Sequence, residues 1–497
     1  MGNYTNHQVI IPKFAYAAEV SGITFGGFVC DKYPASQPNA TLIEGSPDVA
    51  HSGAAGSVPG ISRAGLPVWD YVTLPQAMIA CANKGKGWHL ISAMEWSSLA
   101  FLAKMLGTMP HGGNANSDPP SDTDYATELA MLDNHMHVEN GAYHRPLPGT
   151  GPATWAHNHL ASGIYDLQGC VWQWVQGLFL ENYTGYAWIP GSLDVSYLLA
   201  PYGRGTISDS GAAAPTLTLD GAGVNWKKAW TPDAFDDMLV YIAEAGGHIT
   251  VLNETPTAGG ASYVAGDILT IAGGGGATCR VRTVDAGTGA VTAVDLLMGG
   301  GGYTTGAGKA TTGGSGDGNC TVNITTVNAA QGGAFFPIAD TTATTLVLGA
   351  SAAPGNGTAT FCIVKQIATD ITSGMSNGNK ILTLRNSDAD LKGLALPATS
   401  DATGSAIYGK DGYWFNKAGG CTRGAFRGGY FSNGANAGVF ALNLNNAPSN
   451  ANYNIGFRAC EVKGCFARRL RRKCRDRSAS YFGTATLTGG KGLTGGK

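Results

Sequence analysis

Between Ile249 and Gly378 the chain offers almost no helix-forming run. Short β-branched segments alternate with glycine clusters: Tyr263–Ile271, Cys279–Val284 and Ala290–Val294, then Gly299–Tyr303, and further on Thr344–Gly349 and Thr358–Gln366. Apolar runs of strand length bounded by glycine predict β structure, because glycine reaches the left-handed turns that other residues avoid. The stretch 249–378 is therefore expected to be an inserted Gly-rich all-β module, or two small ones. Composition supports this. Glycine supplies 74 of 497 residues, and only 13% are charged, against about 25% in an ordinary soluble domain.

The flanking thirds read differently. Ile23–Tyr33 is a strand closing on a turn, and Leu74–Ala82 is helical in pattern. Ser92 with Glu95 three residues on predicts a helix start, because each side chain satisfies the other's backbone N–H. Trp96, Leu99, Leu102 and Met105–Leu106 then form an apolar stripe at helical spacing, and Gly107 and Pro110 stop the helix. The last third returns to this aromatic, loop-rich texture at Tyr408, Tyr413, Trp414 and Phe415. The reading is one domain of α+β class split by the insertion: a first part at 1–248, a second at 379–466, and a tail at 467–497. Glycine-rich, weakly charged stretches such as 249–378 loosely resemble structural β modules of viral tail proteins.

Charge excludes some partners. The net charge is −2, which gives no overall pull toward nucleic acid. The run Ala467–Arg477 is the exception, with seven Lys/Arg and one Asp: a cationic tail that either touches nucleic acid, membrane or an acidic partner or is simply solvated. No apolar run has the roughly 18–20 residues of a membrane span. The N-terminal MGNYTNHQVIIPKF lacks the basic and apolar regions of a signal peptide, so synthesis in the cytoplasm is expected. The ten cysteines are scattered without a CxxC pair and are expected to be buried thiols. His135-Met136-His137 and His157-Asn158-His159 each put two imidazoles on one side of an extended segment, but no third zinc ligand accompanies them. Gln37-Pro38-Asn39 matches a sugar-binding tripeptide by chance, and no nucleophile elbow or phosphate loop occurs.

Three motifs stand in order along the flanks: Gly87–Trp96 (GWHLISAMEW), Gly163–Val175 (GIYDLQGCVWQWV), and Arg427-Gly428-Gly429 followed by Ile455–Arg458 (IGFR). As physics they are scaffold. Trp172 and Trp174 alternate on a strand, Arg427 and Arg458 offer planar multi-donor heads for loop carbonyls, and Gly428, Gly429 and Gly456 permit close approach. Together the motifs resemble the formylglycine-generating-enzyme branch of the C-type lectin fold, which implies that architecture for the split domain, with Trp172, Trp174, Arg427, Gly428, Gly429, Gly456, Phe457 and Arg458 as scaffold. The resemblance breaks at the chemistry. The family's enzymes use a cysteine pair between the last two motifs, and residues 428–457 hold no Cys. Cys170 and Gln173 stand where the family has Asn and Glu, which removes an oxygen and a charge from any calcium site there. No catalytic residue, metal site or cofactor is therefore expected, and the chain is read as no enzyme. An oxidase of this branch is the alternative.

What replaces the cysteines is informative. Phe431–Asn454 holds eight Asn in 24 residues. Asn is disfavoured in helices and strands, and its amide both donates and accepts. Aromatic residues beside it supply the anchors that dominate binding energy. This pattern resembles the variable region of proteins diversified by retroelements, in which adenine-rich Asn codons mutate without producing stops. By matching positions, the variable region spans 427–458. The resemblance implies a binding face of Tyr430, Phe431, Asn433, Asn436, Val439, Phe440, Asn443, Asn445, Asn446, Asn452 and Tyr453. Gly434, Gly438, Pro448 and Ile455–Arg458 would hold the backbone, with Asn450 and Asn454 as turn residues. It further implies a receptor-binding protein, as on a phage tail, whose partner is a protein or other macromolecule on a cell surface. Neither specific nucleic-acid binding nor a membrane span is expected, and a homo-oligomer fits the need for avidity. A fixed structural virion protein and a calcium-dependent lectin are the rival readings.

Overall fold

Apolar residues on the strand Trp172–Glu181 and its neighbours organise the whole molecule. The computed structural model describes residues 7–40, 58–112, 128–133, 145–181, 184–187, 202–210, 214–220, 233, 235–330, 332–349, 354–366, 370–387, 391–416 and 422–462. It is mostly β, with 43% strand and 8% helix. This corrects the expected α+β class. Two helical patterns do fold as helices, α1 (Leu74–Ala82) and α2 (Ala93–Leu106). Ser92 and Glu95 form the reciprocal cap of α2, and Gly107 ends it with φ +68°. They are the only α-helices among the described residues. The aromatic, loop-rich flanks otherwise pair as strands, because β-branched and aromatic residues suit a ladder wherever a partner edge exists. Among the described residues no helix is long and apolar enough to cross a membrane.

Three β assemblies are nested in one another. The outer one runs Thr184–Ala187, Trp172–Glu181, Thr422–Gly428, Gly438–Leu444, Gly412–Phe415, Asn379–Leu384 and Pro397–Asp401. Its pairings join residues from both flanks, with Phe426 opposite Trp174 and Arg427 opposite Gln173. A four-stranded sheet of Gln8–Ile11, Phe28–Asp31, Ala459–Val462 and Trp88–Leu90 brings the two flanks together a second time. Helix α2 packs its buried face, Trp96 to Ala103, into the core formed with Phe25, Phe440 and Leu442.

The second assembly is a closed six-stranded barrel. Its ring runs Tyr202–Ser208, Thr216–Leu219, Thr345–Leu348, Ala334–Thr341, Leu239–Ile242 and Gly357–Gln366, then back to Tyr202–Ser208. Ile207, Leu217, Val240, Phe336, Leu346 and Phe361 fill it. Closure leaves no unpaired edge in the ring. Strand Gly357–Gln366 runs on past the ring to pair Lys365 with Ala187, which fuses barrel and outer sheet.

The third assembly, 249–327, lies between two barrel strands, Leu239–Ile242 and Ala334–Thr341. Its seven strands enclose Leu269, Val281, Val294, Val322 and Tyr303. The backbone bonds Val294 N to Glu254 O (2.8 Å) and Ile249 N to Gly299 O (3.0 Å) curl the sheet toward closure. The segment expected as one insertion at 249–378 thus divides: 249–327 is its own unit, and 334–366 belongs to the barrel, whose other strands lie within the expected first part at 1–248. The tail at 467–497 lies outside the described residues.

Candidate binding face

The segment 427–458 is held from beneath by buried polar side chains. Arg427, with no exposed surface, donates to the carbonyls of Phe440 (3.0 Å), Leu394 (2.7 Å) and Ala395 (3.2 Å). Burial lowers its guanidinium to about 9. Asp411 engages the same residue, accepting Phe440 N–H at 2.9 Å. Burial pushes its carboxyl up to about 8, against the pull of the backbone N–H groups of Phe440 and Ala441. A Cβ on Gly438 would collide with this carboxylate. Gly428 at φ +93° has the Leu167 carbonyl where a Cβ would stand, so the Arg-Gly-Gly turn admits no larger residue at its centre.

Further arginines anchor the segment's far end. Arg458 donates to the Tyr165 carbonyl (2.6 Å), the Asp31 carbonyl (2.9 Å) and Gln173 Oε1 (3.1 Å). Arg145 bridges Asp70 (2.8 Å), Asp133 (2.7 Å) and the Tyr453 carbonyl (2.7 Å). Burial raises Asp70 to about 7 despite that guanidinium. Carbonyls of the segment complete the frame: Leu74 N donates to Pro448 O, Tyr71 N to Asn452 O, and Trp172 N to Asn454 O. Irregular backbone needs such partners because it lacks a ladder. Trp174 donates its indole N–H to Val72 O at 2.9 Å, Phe457 packs tilted on Trp69, and a Cβ on Gly456 would strike Val68 and Val171.

On this frame the residues assigned to the face separate into two groups. Phe431, Val439 and Phe440 have no exposed surface, and Asn443 keeps only 9%. This corrects their assignment to the binding face. Gly438–Leu444 is a central strand between Thr422–Gly428 and Gly412–Phe415, and every one of its residues is buried. Phe440 packs edge-on against Phe101 (5.7 Å) and Tyr408 (5.0 Å). The Val439 carbonyl accepts the Trp96 indole N–H at 2.8 Å. Tyr430, Asn433, Asn436, Asn445, Asn446, Asn452 and Tyr453 all keep partial exposure.

Several asparagines are engaged locally. Asn433 Oδ1 accepts Tyr430 N–H (2.9 Å), Asn443 Oδ1 accepts Asn445 N–H (2.8 Å), and Asn452 Oδ1 accepts Tyr453 N–H (2.8 Å). The Asn443 bond is the side-chain turn, two residues on, for which asparagine is suited. Asn436, Asn445 and Asn446, all partly exposed, make no side-chain hydrogen bond among the described residues.

Two residues extend the face beyond the sequence reading. Trp414 lies opposite Asn443 in the parallel register, partly exposed, with its ring edge-on to Trp172 at 5.3 Å. Tyr430 packs on the same aromatic cluster. Tyr71 is 43% exposed at φ +49°, beside Asn452. No pattern in the sequence points to either, since both join the face through long-range pairing. None of the residues of the face, with Trp414 and Tyr71 added, carries a charge.

The remaining polar motifs are structural. Gln173 accepts from Arg458 and donates to the Asp166 carbonyl at 2.7 Å, a double role a carboxylate cannot fill. Cys170 is buried, with its thiol toward Pro146 O. His157 accepts the Ile164 N–H, burial lowers it to about 4, and His159 contacts Met109 O instead. Residues 135–137 lie outside the described residues. Among the described residues one trio of acids, Asp233, Asp236 and Asp340 on the barrel, is spaced for a cation, far in sequence from the motifs. No known protein family matches the chain, and no curated protein resembles it significantly.

Proposed function

We propose that this protein is a receptor-binding display protein of the retroelement-diversified kind, carried on a phage tail, that its face around 430–454 contacts a macromolecule on a cell surface, and that it performs no catalysis. The observation that carries this reading is a dense Asn/aromatic segment whose partly exposed Asn436, Asn445 and Asn446 side chains take no part in the hydrogen bonds that hold its backbone. Arg427, Asp411, Arg145 and Arg458 fix the segment through backbone groups or from outside it. Outer positions such as Asn436, Asn445 and Asn446 can therefore vary without loss of the fold. Preorganisation of this kind lowers the ordering entropy lost on binding. Amides and tyrosines suit an adaptable polar interface with rigid aromatic anchors.

The test is sequencing of this gene and its flanks across sibling genomes. Substitutions concentrated at template-adenine positions of the exposed codons, 430, 433, 436, 445, 446, 452 and 453, beside a near-copy repeat and a reverse transcriptase, are the expected result. Absence of the repeat, with no excess variation in the segment, would replace this reading with a fixed structural role.

A further inference from the structure

We propose that Cys30 and Cys460 form a latent cross-strand disulfide that, once oxidised, locks the closing strand of the outer domain to its N-terminal sheet. The two residues are directly opposed in the antiparallel pairing of Phe28–Asp31 with Ala459–Val462. Opposed residues in such a ladder have Cα atoms about 4.5 or 5.5 Å apart, and both spacings fall in the roughly 4.4–6.8 Å range of disulfides. Both are free thiols with no exposed surface. They are hydrogen-bonded to each other, and burial followed by this bond raises the Cys460 thiol well above its ordinary range. Cys81 on α1 is the third thiol of the neighbourhood, but it has no ladder position opposite either. Cys279 and Cys320 share a core within 249–327, yet lie on strands that are not adjacent. Among the described residues Cys30 and Cys460 are the one pair set face to face by register.

The oxidant class is a small peroxide. One thiolate attacks the peroxide, the O–O bond breaks, and a sulfenic acid and hydroxide form. The second thiolate attacks the sulfenic sulfur, the S–O bond breaks, and hydroxide leaves. Each hydroxide takes up one thiol proton, so two thiols and one peroxide give one disulfide and two waters. The bond encloses every strand of the outer sheet in one covalent loop, which restricts the unfolded chain. It also fastens the strand that follows directly on Arg458, one of the anchors of the binding segment.

The test treats the full chain with hydrogen peroxide, both folded and during refolding from denaturant, where burial no longer limits access. Non-reducing peptide mapping is expected to recover a Cys30–Cys460 linked peptide. The thermal midpoint should rise by several degrees and return when dithiothreitol is added. Cys81→Ser should retain both effects, and Cys30→Ser or Cys460→Ser should lose both. Failure to recover the linked peptide under either condition, or a predominant Cys30–Cys81 link, would overturn the assignment. A link with no rise in midpoint would overturn the locking role.

Discussion

The outer domain and the inserted unit at 249–327 carry charge in opposite ways. In the outer domain, Arg427, Arg458 and Arg145 have no exposed surface and donate to main-chain carbonyls of strands and of irregular chain. In the inserted unit the arginines lie outside. Arg280 and Arg282 have side chains 42% and 41% exposed and meet Asp295 and Glu254 on the surface. The difference follows from the backbone. The inserted unit satisfies its N–H and C=O groups through ladders, so its charges remain in water, where ion pairs contribute little. The outer domain folds a long irregular segment over its sheet, and buried guanidinium groups with several donors each supply the missing partners.

Changing one arginine on each side breaks the comparison most directly. Arg427→Met leaves three buried carbonyls without their donor, and the expected loss is on the order of 5 kcal/mol. Arg282→Ala should leave the unfolding midpoint unchanged within error. Denaturant titration of both variants decides it, and equal effects would refute the distinction.

A second contrast lies within and just beyond a single strand. Phe440→Ala, which empties a site against Phe101 and Tyr408, should cost about 3–5 kcal/mol. Asn445→Ala should leave the midpoint unchanged and weaken partner capture instead. Because the face is uncharged, that capture should vary little between low and high salt.

The smallest expected effect is in the response to pH. Burial holds Asp411 near 8, Asp70 near 7 and Asp166 near 6, whereas an unfolded aspartate titrates near ~3.9. The folded state therefore keeps protons that the unfolded state releases, and the stability of the outer domain falls as pH rises from about 4 to about 8. In the inserted unit the sign reverses. Asp267, Asp285 and Asp317 are held below their ordinary range by hydrogen bonds from Ser315, Thr288 and Asn319, so their contribution is lost only as pH falls into the acid range. Asp411→Asn should flatten the upper end of the decline in a scan of midpoint against pH. An unchanged slope would show that Asp411 does not titrate there.

These contrasts explain what the sequence made legible. Both helices could be read because their signals are local, the Ser92–Glu95 cap and the stop at Gly107 above all. The barrel could not be read, because strands at 202–219 find partners at 334–366 across an intervening unit, and no local pattern encodes that closure. Within 427–458 the asparagines marked the region. The family resemblance also assigned Val439 and Phe440 to the face by matching positions, whereas here they belong to a strand whose every residue is buried. Trp414 and Tyr71 joined the face only through tertiary pairing.

The nested insertion also fixes an order of events during synthesis. Strand Trp172–Glu181 cannot acquire its neighbour Thr422–Gly428 until most of the chain has left the ribosome, whereas the unit at 249–327 has all its strand partners within itself. Pairings between residues distant in sequence form late and slowly. Of the three β assemblies, the inserted unit and then the barrel are thus the first able to complete, and the closed barrel draws residues 187 and 365 together. The insertion thereby shortens the search by which the two distant halves of the outer sheet find each other, and the segment 427–458, made after both inner assemblies, is added to a platform already half built.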